Sequence, residues 1–266
     1  RSSRPSRLSA LIASALPKAL ALAVLLAVWE ISAKFKNQSY VLPEPALVGQ
    51  AAHQLWVNGH VLEAILNSLR RAALGYALSL VAGTLLGIAI ARIRMLRLAL
   101  ASMIGALQIL PSVVWVPIGV LWFGLNETAV YFIVVMGALP SITGGTVAAL
   151  DNISPLLLRV GRSMGARGPA LYRHVVLSAA LPGYIAGLKQ AWAFSWRSLM
   201  AAELIATGPT LGLGLGQLLR EGGDLSDMSV MLAVVIMILI VGLTVEELVF
   251  APIDRGIRSR RGLTGS

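Results

Sequence analysis

The chain contains no cysteine and little charge. The first absence excludes a disulfide framework, a thiol nucleophile and a cysteine-based metal site. The second says more. Charged residues are 13% of 266 positions and hydrophobic residues 57%, whereas a soluble domain carries about 25% charged residues. Too few charges remain to coat a surface in water, so lipid is the expected solvent. No Gly-x-x-x-x-Gly-Lys-Ser/Thr sequence occurs, so the chain cannot cradle ATP by that route. His53, His60 and His174 are scattered without metal-ligand spacing, and no nucleophile–base constellation stands out. The chain is therefore expected to bind no metal or cofactor and to catalyse no reaction.

What is present is a set of six apolar stretches, at about 15–34, 67–91, 98–122, 128–150, 183–206 and 228–251. Six spans of ~20 residues with their connectors fill nearly the whole length. This predicts an all-α polytopic membrane protein with one domain over 1–266. The first stretch has no small-residue cleavage site after it and reads as a retained helix. Residues 35–66 are polar around Val41-Leu42-Pro43-Glu44-Pro45 and weakly amphipathic from Leu47 to Leu66, which predicts an interfacial segment. Residues 208–226 are rich in glycine and acid and read as an outer loop. Within them, Gly212-Leu213-Gly214-Leu215-Gly216 lacks the strand–turn–helix setting of a dinucleotide loop.

Basic residues orient the bundle. Fifteen of the 22 lysines and arginines fall on the side of the N-terminus, in four groups: Arg1 to Lys18, Arg92 to Arg97, Arg159 to Arg173 and Arg255 to Arg261. The other side holds Lys34, Lys36, Arg70, Arg71 and Arg220. The positive-inside rule then places both termini in the cytoplasm. On this topology residues 1–14 and 252–266 are cytoplasmic tails and 151–182 a cytoplasmic segment. The net charge of +10 reflects those loops, and no nucleic-acid partner is expected. Arg70 and Arg71, at the outer end of the second span, either snorkel or face a polar cavity.

Two spans carry polar residues that lipid would not tolerate unpaired. Span five holds Gln190, Phe194, Arg197 and Glu203. Intramembrane ionisable groups face a bundle interior or a wet cavity. Gln190, Phe194 and Arg197 share a face. Arg197 and Glu203 are separated by ~600° of helix rotation and do not pair within the helix. Arg197 either lures an anion along a pathway or pairs with a carboxylate on another helix. Span three places Gln108, Ser112 and Trp115 on one face beside Pro111 and Pro117, a face that either lines a pore or packs. Between spans four and five, Gly165 interrupts a basic, helical segment and marks a tight turn or a close approach.

That segment carries a resemblance. Arg162-Ser163-Met164-Gly165-Ala166, Leu171-Tyr172-Arg173-His174-Val175-Val176-Leu177 and Ala179-Ala180-Leu181-Pro182-Gly183 resemble the EAA loop of permease subunits of ATP-binding-cassette (ABC) importers. Four further stretches are similar to the subfamily importing sulfonates, nitrate and taurine: Val41-Leu42-Pro43-Glu44-Pro45, Ile109-Leu110-Pro111, Val116-Pro117-Ile118 with Leu121-Trp122-Phe123-Gly124, and Trp196-Arg197-Ser198-Leu199 with Ala201-Ala202-Glu203-Leu204. They cover nearly the whole chain in order. The resemblance implies the type I ABC importer permease fold with six transmembrane helices in a bacterial inner membrane. It implies a coupling helix in which Arg162, Ser163, Met164, Gly165, Ala166 and Leu171 meet a cytoplasmic ATPase. It also implies a second permease copy, two ATPase subunits that hold ATP and magnesium, and an extracytoplasmic binding protein. The expected substrate is a small anion, with taurine or another aliphatic sulfonate first and nitrate, bicarbonate or a pyrimidine precursor as alternatives. Two departures stand out. Arg159-Val160-Gly161 replaces the family's Glu-Ala-Ala, so its glutamate contact does not carry over, and Ser178 replaces a proline. A secondary transporter would need repeats or a paired-carboxylate ion site, and neither is evident.

Overall fold

The computed structural model describes residues 7–36, 41–206, 208 and 211–260, and every regular element among them is helical. The order is α1 (Arg7–Lys36), α2 (Pro45–Val57), α3 (His60–Arg92), α4 (Arg94–Ile109), α5 (Trp115–Phe123), α6 (Glu127–Asp151), α7 (Pro155–Ser163), α8 (Pro169–Leu171), α9 (Leu177–Ile205), α10 (Leu215–Asp224), α11 (Met228–Val245) and α12 (Ala251–Arg260). A single 3-10 turn, Ser112–Val114, leads into α5, and π-helical turns at Tyr172–Val176 and Glu246–Phe250 join α8 to α9 and α11 to α12. Arg1, Arg4 and Arg261, counted in the expected cytoplasmic tails, lie outside the described residues.

Helix ends fall where the chain offers a cap or a breaker. The Asn126 side chain accepts from the Thr128 and Ala129 amides and starts α6, and Asp227 does the same for α11 through Ser229 and Val230. Gly124, at φ +78°, ends α5.

The six apolar stretches become six long helical passes: α1, α3, α4 with α5, α6, α9, and α11 with its continuation. By length and composition, α3, α6 and Met228–Ile257 each suffice to cross a membrane. The third stretch is not one straight span, because α4 and the helix that follows meet at 97°. Pro111 lacks an N–H and pushes Leu110 out of the helical region, which breaks the helix at that point. α9 is 29 residues long but less apolar, since Lys189, Gln190, Arg197 and Glu203 lie along it. Two connectors also differ from expectation. The segment 47–66 is not one interfacial stretch: α2 ends at Val57, and α3 already begins at His60. The segment 208–226 is not a plain outer loop. It contains α10, whose Leu215, Gly216, Gln217, Leu218 and Gly222 are buried.

Small residues bring the central helices together. A Cβ at Gly75, Gly83 or Gly87 of α3 would lie 2.5–2.9 Å from Val134, Ile142 or Thr146 of α6. Each partner is 59 positions further along, so α3 and α6 run parallel. On the other side of α6, Gly137 meets Ser198, Gly145 meets Gly187, and Ala149 meets Gly183 of α9, with numbers falling as they should for antiparallel helices. Lipid tails are as apolar as leucine, so close backbone approach and dispersion, rather than escape from water, hold such helices together. At the outer edge, α1 touches the rest through Trp29, whose Nε1 donates to the Pro43 carbonyl at 3.1 Å. Leu20, Leu22 and Leu25 of α1 remain exposed.

Candidate functional site: a mid-bundle cavity, a basic hairpin and a buried ionic cluster

The break at Pro111 opens a cavity of about 370 Å³ against the middles of α6 and α9. Gln108, Ser112, Trp115, Met136, Phe194 and Arg197 are among its lining residues. Five of the seven expected pathway residues therefore meet in one place. The face of α4 and α5 reaches the face of α9 only because the chain turns sharply between them. Gln108 Nε2 donates to the Pro140 carbonyl at 3.1 Å, which ties α4 to α6. Pro140 has no N–H to give to the Met136 carbonyl one turn earlier, so a polar backbone group at the cavity wall lacks its helical partner. Such backbone is tolerated at membrane depth where it lines a cavity. Met136 and Gly137 were not among the expected pathway residues. Pro140, four positions after Met136, was the available signal.

Arg197 supplies the positive charge. Its Nε donates to the Ala193 carbonyl at 3.0 Å, and its guanidinium carbon lies 4.7 Å from the centre of the Phe194 ring. Among the described residues it has no carboxylate partner. A guanidinium held over a ring is preorganised and keeps N–H groups free for an anion.

The other two expected pathway residues lie elsewhere. Gln190 is exposed and does not line the cavity. Glu203 is fully buried near the opposite end of α9, and its carboxylate is occupied. It accepts from Arg71 Nη1 at 2.8 Å, from Ser68 Oγ at 2.7 Å and from the Gly216 amide at 3.0 Å. Three donors, one of them a backbone amide at the start of α10, satisfy a charge that would otherwise be prohibitive in this setting. The glycine-rich run explains itself here: a Cβ at Gly214 or Gly216 would stand 2.5–2.6 Å from Glu203 atoms. Arg71 is likewise fully buried and also donates to the Gly212 carbonyl. Arg70 pairs with Glu127, which also accepts from Tyr131. Arg71 thus neither snorkels nor faces a cavity, and Glu203 is not a partner for Arg197. Nothing in local spacing revealed the pair. The signal was two opposite charges at matching depth, near the same ends of spans two and five.

At the far end, α7 and α8 form a short hairpin. Gly161 packs its backbone on Leu171 and Val175, where a Cβ would fall 2.8 Å from Val175. The turn between them closes through the Ala166 amide on the Gly161 carbonyl and the Gly165 amide on the Arg162 carbonyl, both at 3.0 Å. Gly165 adopts φ +88°, and a Cβ there would touch nothing within 4 Å. Arg162, Ser163, Met164 and Gly165 form an exposed tip with Ala166 at its edge. Leu171 is buried instead, so it supports the hairpin from within and offers no surface to a partner. The π turn at Tyr172–Val176 then feeds the hairpin into α9 without a break.

Comparison with known proteins places this architecture. Residues 79–259 match the family described as "Binding-protein-dependent transport system inner membrane component". The chain is 28% identical to the taurine transport system permease protein TauC of Escherichia coli K12, over 85% of this chain and 82% of that one. It is also 28% identical to the nitrate import permease protein NrtB of Leptolyngbya laminosa, over 94% and 91%. Among solved structures, an inward-facing form of the MetNI methionine ABC transporter superposes with a TM-score of 0.61 at 20% identity, covering 74% of this chain and 96% of that one. The family match spans more than half of the chain and holds the end of α3, all of α4 to α11, the hairpin and the cavity: the chain belongs to the binding-protein-dependent inner-membrane components, the permease subunits of ABC importers.

Proposed function

We propose that this permease subunit carries a small anion, with taurine or a related aliphatic sulfonate as first choice. The observation that carries the reading is the cavity at mid-bundle with Arg197 as its cation and, among the described residues, no carboxylate paired with it. A fixed, unpaired guanidinium favours an anionic oxygen and disfavours a cation at the same place. Trp115 and Phe194 give the cavity apolar walls suited to a short alkyl chain, and Ser112 adds a hydroxyl. The relatives named for taurine and nitrate support the same class of solute. Nitrate, bicarbonate or a pyrimidine precursor would fit the charge but make less use of the apolar walls.

As an ABC importer permease, the chain is a transport subunit that works with an ATPase and a binding protein. We infer two permease copies, two ATPase subunits that hold ATP and magnesium, and both termini in the cytoplasm of a bacterial cell. The chain folds as one permease domain with the hairpin tip, residues 162–166, seated on the ATPase. ATP-driven closure of the ATPase pair would move the hairpin, and the unbroken path through the π turn would carry that motion into α9, where Phe194 and Arg197 stand.

The decisive experiment reconstitutes the permease in proteoliposomes with its ATPase and binding protein. Saturable, ATP-dependent uptake of labelled taurine is expected, with little uptake of a neutral amide of similar size. Uptake of nitrate alone would replace the sulfonate assignment. Uptake by the permease without any ATPase would overturn the importer reading.

A further inference from the structure

Two apolar cavities lie side by side on the flank of the bundle, near the end that carries the hairpin. One, of about 310 Å³, runs along Thr84, Thr146, Ala149 and Tyr184. The other, of about 380 Å³, reaches Pro169, Tyr172 and the two arginines Arg92 and Arg173. Ile88, Leu150, Leu177 and Ala180 line both, so they form one groove between α3, α6 and α9. Ile88 and Leu177 are exposed along it, at 41% and 62%.

The groove is apolar along its length and cationic at its mouth. Arg92 stacks on Tyr172, with the guanidinium carbon 4.2 Å from the ring centre. Among the described residues neither Arg92 nor Arg173 makes an ion pair. The acid at this end of α6, Asp151, is already held by Arg97 at 2.7 Å. The mouth therefore keeps two uncompensated positive charges where three membrane passes reach the water boundary. Arg92, fixed over a ring, presents its edge N–H groups to an anionic oxygen.

We propose that this groove is a binding site for an anionic phospholipid. One acyl chain lies against Ile88, Leu177 and Ala180, and the headgroup phosphate sits between Arg92 and Arg173. Basic pockets between membrane helices at a leaflet surface suit such headgroups. A free phosphate would meet the arginines but leave the apolar length uncovered, so the lipid is the source of the anion.

The test is native mass spectrometry of the purified full chain titrated with dioleoylphosphatidylglycerol and dioleoylphosphatidylcholine. The wild type should retain the glycerol lipid at least tenfold more tightly, a lower bound since each arginine near a lipid surface contributes ~1 kcal/mol. Arg92→Gln with Arg173→Gln should weaken it about 30-fold and leave the choline lipid unchanged. Ile88→Trp, which fills the groove from an exposed position, should weaken both lipids. Should the double variant not fold, Arg173→Gln alone, at an exposed site, should still cost about fivefold. Equal retention of the two lipids, an unchanged preference in the arginine variants, or displacement of the glycerol lipid by inorganic phosphate would each overturn the proposal. None of these readouts involves transport, so they stand or fall apart from the substrate assignment.

Discussion

Arg71 and Glu203, 132 positions apart in the chain, form a fully buried ion pair, with Nη1 donating to Oε1 at 2.8 Å. The pair fastens α3 to α9. Ser68 Oγ, which donates to Glu203 and accepts from the Leu215 amide, fastens both to the start of α10. One carboxylate thus fixes three elements at the end of the bundle opposite the hairpin.

Breaking that pair from one side should be costly. Arg71→Leu strands a buried carboxylate and should lose about 3–5 kcal/mol, seen as a lower melting temperature in detergent. Arg71→Leu combined with Glu203→Gln should lose less than the sum of the two single variants, because the neutral amide no longer needs a cation. Strictly additive losses would show that the two side chains do not depend on each other.

Arg197 should behave in the opposite way. It has no carboxylate partner among the described residues, so Arg197→Leu should leave the melting temperature nearly unchanged while abolishing taurine uptake. Arg197→Lys should keep partial uptake, since the charge survives and the planar fork is lost. Adding Glu203→Gln to Arg197→Leu should rescue nothing. A melting temperature that falls with Arg197→Leu and recovers in the double variant would refute the anion-lure assignment.

Gly165 separates the fold of the hairpin from its use. Its φ of +88° costs a branched side chain about 1–3 kcal/mol, whereas aspartate visits this region more readily. Within the chain a Cβ there has open space. Gly165→Asp should therefore insert and melt close to normally yet co-purify less ATPase and uncouple hydrolysis from uptake. Normal ATPase recovery and normal transport would remove residues 162–166 from the coupling interface.

The crossing of α6 and α9 should tolerate no side chain. A Cβ at Gly145 would lie 2.9 Å from the Gly187 Cα, and the converse distance is also 2.9 Å. Gly145→Leu or Gly187→Leu should cost at least the 1–3 kcal/mol typical of overpacking, read as early thermal unfolding. Gly105→Leu, at a position where a Cβ meets nothing within 4 Å, should cost less. Equal losses at all three positions would argue against a close crossing.

Topology is directly testable because the chain has no cysteine. A cysteine at Asn58, which is exposed, should react with an impermeant thiol reagent in intact cells. One at Ser266 should react only after the cells are opened. The reverse pattern would invert the bundle.

Some of the site was legible along the chain and some was not. Phe194 and Arg197 could be assigned to one face because three residues span most of a turn, whereas Gln108, Ser112 and Trp115 share the cavity through the break at Pro111 and not through one continuous helical face. Gly165 announced its turn because only a residue without a Cβ adopts that backbone cheaply. Glu203 lies apart from that cavity because its contacts are not local in the chain. Its partners, Ser68 and Arg71 on α3 and Gly216 on α10, sit on two other segments, and no local period connects them to it. The glycine run from 212 to 216 looked like a loop, yet Gly214 and Gly216 leave room for the Glu203 side chain of another helix.

Composition and periodicity by themselves pointed to a helical membrane protein with six apolar stretches, since the lack of charge and the length of the apolar runs follow from the solvent each residue meets. The order of its short motifs pointed to an importer permease. Tertiary structure alone decided which polar residues share a cavity and which are used up holding helices together. A charge in lipid must find a partner, but whether that partner is a passing solute or a residue 132 positions away depends on how the helices pack.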